Sequence, residues 1–130
     1  MVLLDTHVLI WALSDEKGKL SDTVHTTIDN HVLKVSICSL WEIAIKTSLK
    51  DGKRRMMLSV PIKEIADICE EREIDILPVT PDDCEMLKKL PHIHGDPFDR
   101  MIIAQAMTRG LPLITKDENI WKYPGIETIW

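Results

Sequence analysis

Apolar residues follow two rhythms along this chain: short unbroken runs, and longer stretches in which they recur every three or four positions. The first reads as buried strand and the second as amphipathic helix. Val2-Leu3-Leu4 is a short strand, followed by a helix from Thr6 to Leu13 with an apolar face at Val8, Leu9, Ala12 and Leu13. Asp15 to Lys19 is a polar, glycine-containing break. Ser21 is an N-cap for a second helix over 22–30. The β-branched, apolar run from Val32 to Ile37 is a second strand. Ser39 caps a third helix that ends near Leu49, before Asp51-Gly52. Pro61, at a first-turn position, opens a fourth helix, apolar at Ile62, Ile65, Ala66, Ile68 and Cys69. Ile74 to Val79 is a third strand, and Thr80-Pro81 starts a fifth helix with the threonine as cap and the proline in the first helical position.

The last third punctuates itself most clearly. Asp96-Pro97 begins a sixth helix carrying Met101, Ile102, Ala104 and Ala106, and Gly110 stops it as a left-handed cap. Leu111 to Thr115 is a fourth strand, and Ile126 to Trp130 a short fifth. This alternation predicts an α/β sandwich around a mainly parallel sheet of four to five strands with right-handed crossovers. With 130 residues, 45% of them hydrophobic, the chain has material for one core, and a single domain over 1–130 is expected.

Composition narrows the setting. Cys38, Cys69 and Cys84 are widely spaced, with no C-x-x-C pair, and read as buried reduced thiols. Asp5 interrupts the apolar start too early for a secretory leader, so a cytoplasmic location is expected. The apolar stretches fall well short of the ~20 residues of a membrane span. Neither a G-x-S-x-G elbow nor a glycine-rich phosphate loop occurs. The net charge of −5 disfavours a polyanionic partner at first sight, because phosphate backbones attract basic surfaces. Positive charge is nevertheless concentrated in Lys46, Lys50, Lys53, Arg54 and Arg55, and a local stripe guides a polyanion where the net charge does not. Lysines near a helix C-terminus are equally expected from the dipole alone.

The chemistry lies in five acids at the edges of apolar segments: Asp5, Glu42, Asp96, Asp99 and Asp117. Asp5 and Asp117 each fall just past a buried strand, the edge at which open parallel sheets bind ligands. Carboxylates gathered in one poorly solvated site raise one another's pKa, and a divalent cation resolves the conflict. Oxygen-only ligands favour Mg²⁺ or Mn²⁺, ions that activate water and polarise phosphate. Each acid also has an ordinary reading. Glu42 completes a capping box with Ser39 and pairs with Lys46 one turn on. Asp96 is an N-cap, and the helix dipole favours Asp99 in the first turn.

Four segments together carry a family resemblance: Leu3 to Trp11, Ser39 to Lys46, Asp96 to Ala106 and Leu111 to Asp117. In this order, running from residue 2 to Trp130, they resemble the PIN-domain family, and within it the VapC-type toxins of toxin–antitoxin pairs. The resemblance implies a Mg²⁺- or Mn²⁺-dependent endoribonuclease that is held silent by a cognate antitoxin and forms a homodimer. It implies Asp5, Glu42, Asp99 and Asp117 as the catalytic acids. Asp5, Asp99 and Asp117 would also hold the metal, with Asp96 as supporting ligand or cap. Thr6 and Thr115 match supporting hydroxyl positions that bind a ligand water or orient a carboxylate. Arg100 and the basic stretch would steady the scissile phosphate, and Lys50 to Met57 is more basic and methionine-rich than the family leads one to expect. Attack by water predicts 5′-phosphate and 3′-hydroxyl ends. Trp11 and Trp41 read as core rather than as base-stacking platforms.

Three other readings compete. His92-Ile93-His94-Gly95-Asp96 has the H-x-H-x-D spacing of a zinc hydrolase loop, although Pro97 stands where that family continues with another histidine. A non-catalytic PIN-like module that only binds an antitoxin or another protein is the alternative from a different class. A phosphoacceptor built on Asp5 lacks the second aspartate two positions on.

Overall fold

A computed structural model describes residues 1–14, 16–48 and 60–130. The basic, methionine-rich stretch with Lys50, Lys53, Arg54 and Arg55, the expected end of the third helix near Leu49, and Asp15 lie outside the described residues.

Five strands form the sheet: β1 (Val2–Leu4), β2 (Leu33–Ser36), β3 (Asp75–Leu77), β4 (Leu113–Ile114) and β5 (Thr128–Ile129). Their order is β3-β2-β1-β4-β5, and every neighbouring pair is parallel. The chain builds outward from β1 through β2 to β3, then crosses back to lay β4 on the other side of β1. That reversal opens a crevice past the carboxyl ends of β1 and β4, where parallel α/β folds bind their ligands.

Among the described residues seven α-helices surround the sheet: α1 (Thr6–Leu13), α2 (Asp22–Asn30), α3 (Ile37–Ser48), α4 (Ile62–Glu71), α5 (Pro81–Lys89), α6 (Pro97–Arg109) and α7 (Glu118–Trp121). Side chains of β1 alternate between two cores, as the period of a strand requires. Val2 and Leu4 join Val8, Leu9, Val24, Leu40, Ile43 and Ile65 on one face. Leu3 joins Ile102, Ile103, Ala106 and Leu113 on the other. Each large aliphatic side chain so buried contributes roughly 1.5–3 kcal/mol. Leu3 is fully buried, and truncating such a side chain to alanine costs about 2–5 kcal/mol.

Helix ends follow the expected chemistry in most places. Ser21 accepts from the Val24 N–H at the start of α2, and Thr80 and Asp83 form a reciprocal capping box on α5. Gly110, at φ 61°, closes α6 in the left-handed region, which glycine enters without steric cost. Pro61 stands one place before α4, as its N-cap residue.

The exception is α3. It starts at Ile37, directly after β2, and the Ser36 hydroxyl accepts from the Cys38 N–H at 2.9 Å. Ser39 is therefore not a cap and Glu42 is not its capping-box partner. Ser39 lies inside the helix, fully buried, where its hydroxyl accepts from Thr6 at 2.9 Å. The apolar run that signals the strand continues through Ile37 into the helix, with Ser36 the one polar residue at the junction. Strand β1 keeps its expected bounds, β2 to β5 are shorter than their apolar runs, and among the described residues a 3-10 turn at Lys17–Lys19 and helix α7 add to the predicted elements. Cys38 and Cys69 are buried, but Cys84 is exposed. Trp11 joins the core as expected, whereas Trp41 is 59% exposed.

Candidate active site

Asp5, Glu42, Asp96, Asp99 and Asp117 line one pocket of about 330 Å³, with His7, Trp11, Lys46, His94 and Lys116 completing the wall. Five carboxylates dispersed over the sequence meet there because β1 and β4 end at one sheet edge, and the second turn of α3 and the first turn of α6 open onto it.

Asp5 leaves β1 as the N-cap of α1. One carboxylate oxygen accepts from the backbone N–H groups of His7 at 2.8 Å and Val8 at 3.2 Å. The other accepts from the Thr115 hydroxyl past β4. That hydroxyl in turn accepts from the Asp117 N–H at 3.1 Å, so Thr115 joins the two strand-end acids. Burial pushes the Asp5 carboxyl above the ordinary carboxylate range, against the opposing pull of Thr115 and the two backbone donors. Thr6 acts at a distance from the carboxylates: its bond to Ser39 fixes α1 against α3.

Glu42 is nearly sealed from solvent, 2% exposed, one turn into α3. One of its oxygens is bonded to Lys46, and the other has no hydrogen-bond partner among the described residues. Burial opposes the Lys46 charge, but Glu42, with Asp96 and Asp99 beyond it, holds that ammonium above its ordinary range. A buried carboxylate oxygen without a donor costs free energy, and none of the described residues offsets it.

Asp96 caps α6, accepting from Phe98 N–H at 2.8 Å and Asp99 N–H at 3.3 Å. Asp99 projects into the pocket from the following turn. Burial, with the charges of Asp96, Glu42 and Asp5 close by, pushes its carboxyl up to about 7, against a lowering influence from His94. Asp117 caps α7 through Asn119 N–H at 2.9 Å, and its second oxygen meets His94 Nε2 at 2.7 Å. The same nitrogen is 3.2 Å from Asp99.

All five sequence-derived acids thus converge, and Thr6 and Thr115 brace them. Arg100 does not join them. Its guanidinium donates to the Pro91 carbonyl at 2.8 Å and the Tyr123 hydroxyl at 3.2 Å, away from the pocket wall. The H-x-H pair separates too: His94 faces the acids while His92 is exposed, so the two imidazoles do not form the paired site of the zinc reading. The residues that sequence reasoning misses are His94, His7 and Lys116. For His94 a signal exists, since it precedes Asp96 by two positions, but that spacing points to zinc.

The fold and site define a class: a parallel α/β protein with a carboxylate-lined pocket at the switch point of its sheet. The model of the PIN domain matches residues 2–126, and the chain belongs to the PIN-domain family. It is 31% identical over 133 residues to Ribonuclease VapC22 of Mycobacterium tuberculosis, covering 99% of this chain and 98% of that protein. In fold it is similar to a chain of VapBC2 from Rickettsia felis bound to a DNA fragment from the promoter (TM-score 0.71, 15% identity, 99% and 98% of the two chains). It is likewise similar to a chain of FitAcB from Neisseria gonorrhoeae (TM-score 0.68, 17% identity, 100% and 97%). Among the described residues no helix is long and apolar enough to cross a membrane.

Proposed function

We propose that this chain, a single PIN-like domain over residues 1–130, is a metal-dependent endoribonuclease acting in the cytoplasm as the toxin of a toxin–antitoxin pair. The observation that carries the reading is the convergence of Asp5, Glu42, Asp99 and Asp117 on one pocket in which a buried Glu42 oxygen lacks a donor among the described residues. The ribonuclease relative, matched end to end at 31% identity, supports the substrate class.

The donor set fits a hard divalent ion, Mg²⁺ or Mn²⁺, because carboxylates dominate the wall and its five acids outnumber the two lysines there. Asp5, Asp99 and Asp117 would hold it, with Asp96 in support. When bound, such an ion polarises the scissile phosphate and lowers the pKa of water. Asp99 releases the proton it retains up to about pH 7, which restores its full charge to the site. Thr115 and the two backbone donors keep Asp5 in one orientation throughout. Glu42 orients the attacking water through its free oxygen and takes a proton from it. Lys46 and Lys116, the cations on the pocket wall, attract the phosphate in the role the sequence suggests for Arg100. Water adds to phosphorus, the bond to O3′ breaks, and the products carry a 5′-phosphate and a 3′-hydroxyl.

A protein partner also has a place to bind. Ile37, Trp41 and Ile45 on α3 and Val79 are exposed, and an apolar groove of about 580 Å³ runs between Trp41, Leu87, Phe98 and Met101. Exposed apolar surface of this kind marks interaction faces, and a cognate antitoxin and a second copy of the chain are the partners that would cover it. The deciding experiment incubates purified protein with structured RNAs in Mg²⁺ or Mn²⁺ and maps the ends. Metal-dependent 5′-phosphate ends are expected. Intact RNA across a broad pool, together with no binding of either ion at millimolar concentration, would favour the interaction-module reading instead.

A further inference from the structure

We propose that His94 is a positioning residue of the acid pocket: a donor that holds Asp117 and stands between it and Asp99, rather than a ligand of the ion. This rests on the reading of the pocket as a metal-dependent ribonuclease site.

The loop that carries His94 is fixed at several points. Its backbone N–H donates to the Tyr123 hydroxyl at 2.8 Å, and Tyr123 is itself buried. Arg100 bonds that same hydroxyl and the Pro91 carbonyl at the start of the loop. The ring is then oriented by the backbone of Asp96, whose N–H donates to His94 Nδ1 at 3.0 Å. A nitrogen that accepts a hydrogen bond holds a lone pair, so the ring proton sits on Nε2.

Nε2 lies 2.7 Å from Asp117 and 3.2 Å from Asp99. One ligand atom from each of these residues falls within 4.8 Å of the others, spacing that would suit an ion bound by all three side chains. The tautomer argues against that arrangement. A protonated Nε2 has no lone pair to give, and moving the proton to Nδ1 would set it against the Asp96 N–H, donor facing donor. What Nε2–H supplies is a hydrogen bond to Asp117 from a ring edge that also stands 3.2 Å from Asp99, between two carboxylates that otherwise repel each other. Their separation and orientation are thereby set before an ion arrives, the outer-sphere role that neighbours of metal-binding carboxylates commonly play.

Mn²⁺ is the probe. Electron paramagnetic resonance counts free Mn²⁺ to give affinity, and electron spin-echo modulation reports nitrogen bound directly to the ion. Four chains are compared: wild type, His94→Gln, whose amide N–H reaches the position of Nε2, His94→Asn, whose carbonyl can still accept from Asp96 but stops short of the carboxylates, and His94→Ala. Expected are no directly bound nitrogen in the wild type, and Mn²⁺ affinity about 10- to 100-fold weaker in the Ala and Asn chains but within roughly 3-fold of wild type in the Gln chain. RNA cleavage follows the same order. The Asn chain separates loss of the bridge from loss of the loop, so a misfolded Ala variant leaves the test intact. A directly bound nitrogen would make His94 a ligand and overturn the proposal. Unchanged or tighter affinity in the Asn chain would overturn it as well, by making the imidazole idle or a competitor of the ion. If the wild type binds Mn²⁺ and cleaves RNA while one of these results holds, this inference alone fails. A wild type that binds no Mn²⁺ ends both this and the proposed function.

Discussion

Asp83 on α5 and Asp99 on α6 are the same chemical group in the same small protein, and their surroundings drive them in opposite directions. Asp83 is fully buried, yet its carboxyl sits at about 2: burial pushes it up, and Arg109, Thr108 and Thr80 more than reverse that push. Arg109 Nη1 stands 2.6 Å from one oxygen, Thr108 donates to that oxygen at 2.7 Å, and the Thr80 N–H donates to the other at 2.9 Å. Asp99 has other acids where Asp83 has donors, and its carboxyl rises to about 7. A buried acid completed by its own protein is part of the architecture. One left among like charges, beside a Glu42 oxygen that none of the described residues satisfies, is where a cation from outside would be favoured.

The contrast breaks most visibly in activity. Asp5→Asn and Asp99→Asn should each remove RNA cleavage by on the order of 10⁴-fold while circular dichroism shows a folded chain. Growth arrest on induction of the wild-type chain alone should be relieved by Asp99→Asn; equal arrest by both would assign toxicity to something other than hydrolysis at this pocket. Next in size is the stabilising pair. Arg109→Met leaves Asp83 buried and unpaired, and urea denaturation should register a loss of about 3–5 kcal/mol, with cleavage per folded molecule retained. A loss of cleavage with unchanged stability would reverse the roles of the two acids.

A smaller effect separates the two acids by pH. Folded Asp99 keeps its proton to about 7, whereas an unfolded aspartate releases it at the ordinary value of 3.8. The folded chain therefore binds more protons between those values, and its stability declines as pH rises through that window. Asp83 works the other way: its contribution is present above 3.8 and is lost as pH falls toward about 2. In the absence of divalent ions the thermal midpoint should drop by roughly 5 °C between pH 5 and pH 8, and Asp99→Asn should flatten that slope. A midpoint that rises over this range in the metal-free wild type would contradict the environment described for Asp99. The smallest test carries the contrast to thiols. Cys84 is exposed while Cys38 and Cys69 are buried, with burial pushing the last two up, so a thiol reagent should modify Cys84 alone in the folded chain.

Much of the fold is legible along the chain because it is local. Strands announced by Val2-Leu3-Leu4 and Leu113-Ile114, the caps at Ser21, Thr80 and Asp96, and the stop at Gly110 all depend on neighbours a few positions away. The start of α3 escapes such reading because Val35, Ser36 and Ile37 favour a strand locally, while the contact of Ser39 with Thr6 depends on a residue 33 positions away. Trp41 escapes it because helical spacing reports which residues share a face and is silent on whether anything covers that face.

The same division runs through the site. Residue type and position after each strand are enough to select Asp5, Glu42, Asp96, Asp99 and Asp117, since a parallel sheet delivers all its carboxyl ends to one edge. Only the folded chain decided which of them are completed by neighbours, that Arg100 turns to Tyr123 and Pro91, and that His94 rather than a lysine or arginine reaches between Asp99 and Asp117. Periodicity and capping are written in short stretches, and so the sequence determined the elements and the candidate acids. Hydrogen-bond partnership and desolvation belong to groups from distant segments packed side by side, and the tertiary structure alone sets them.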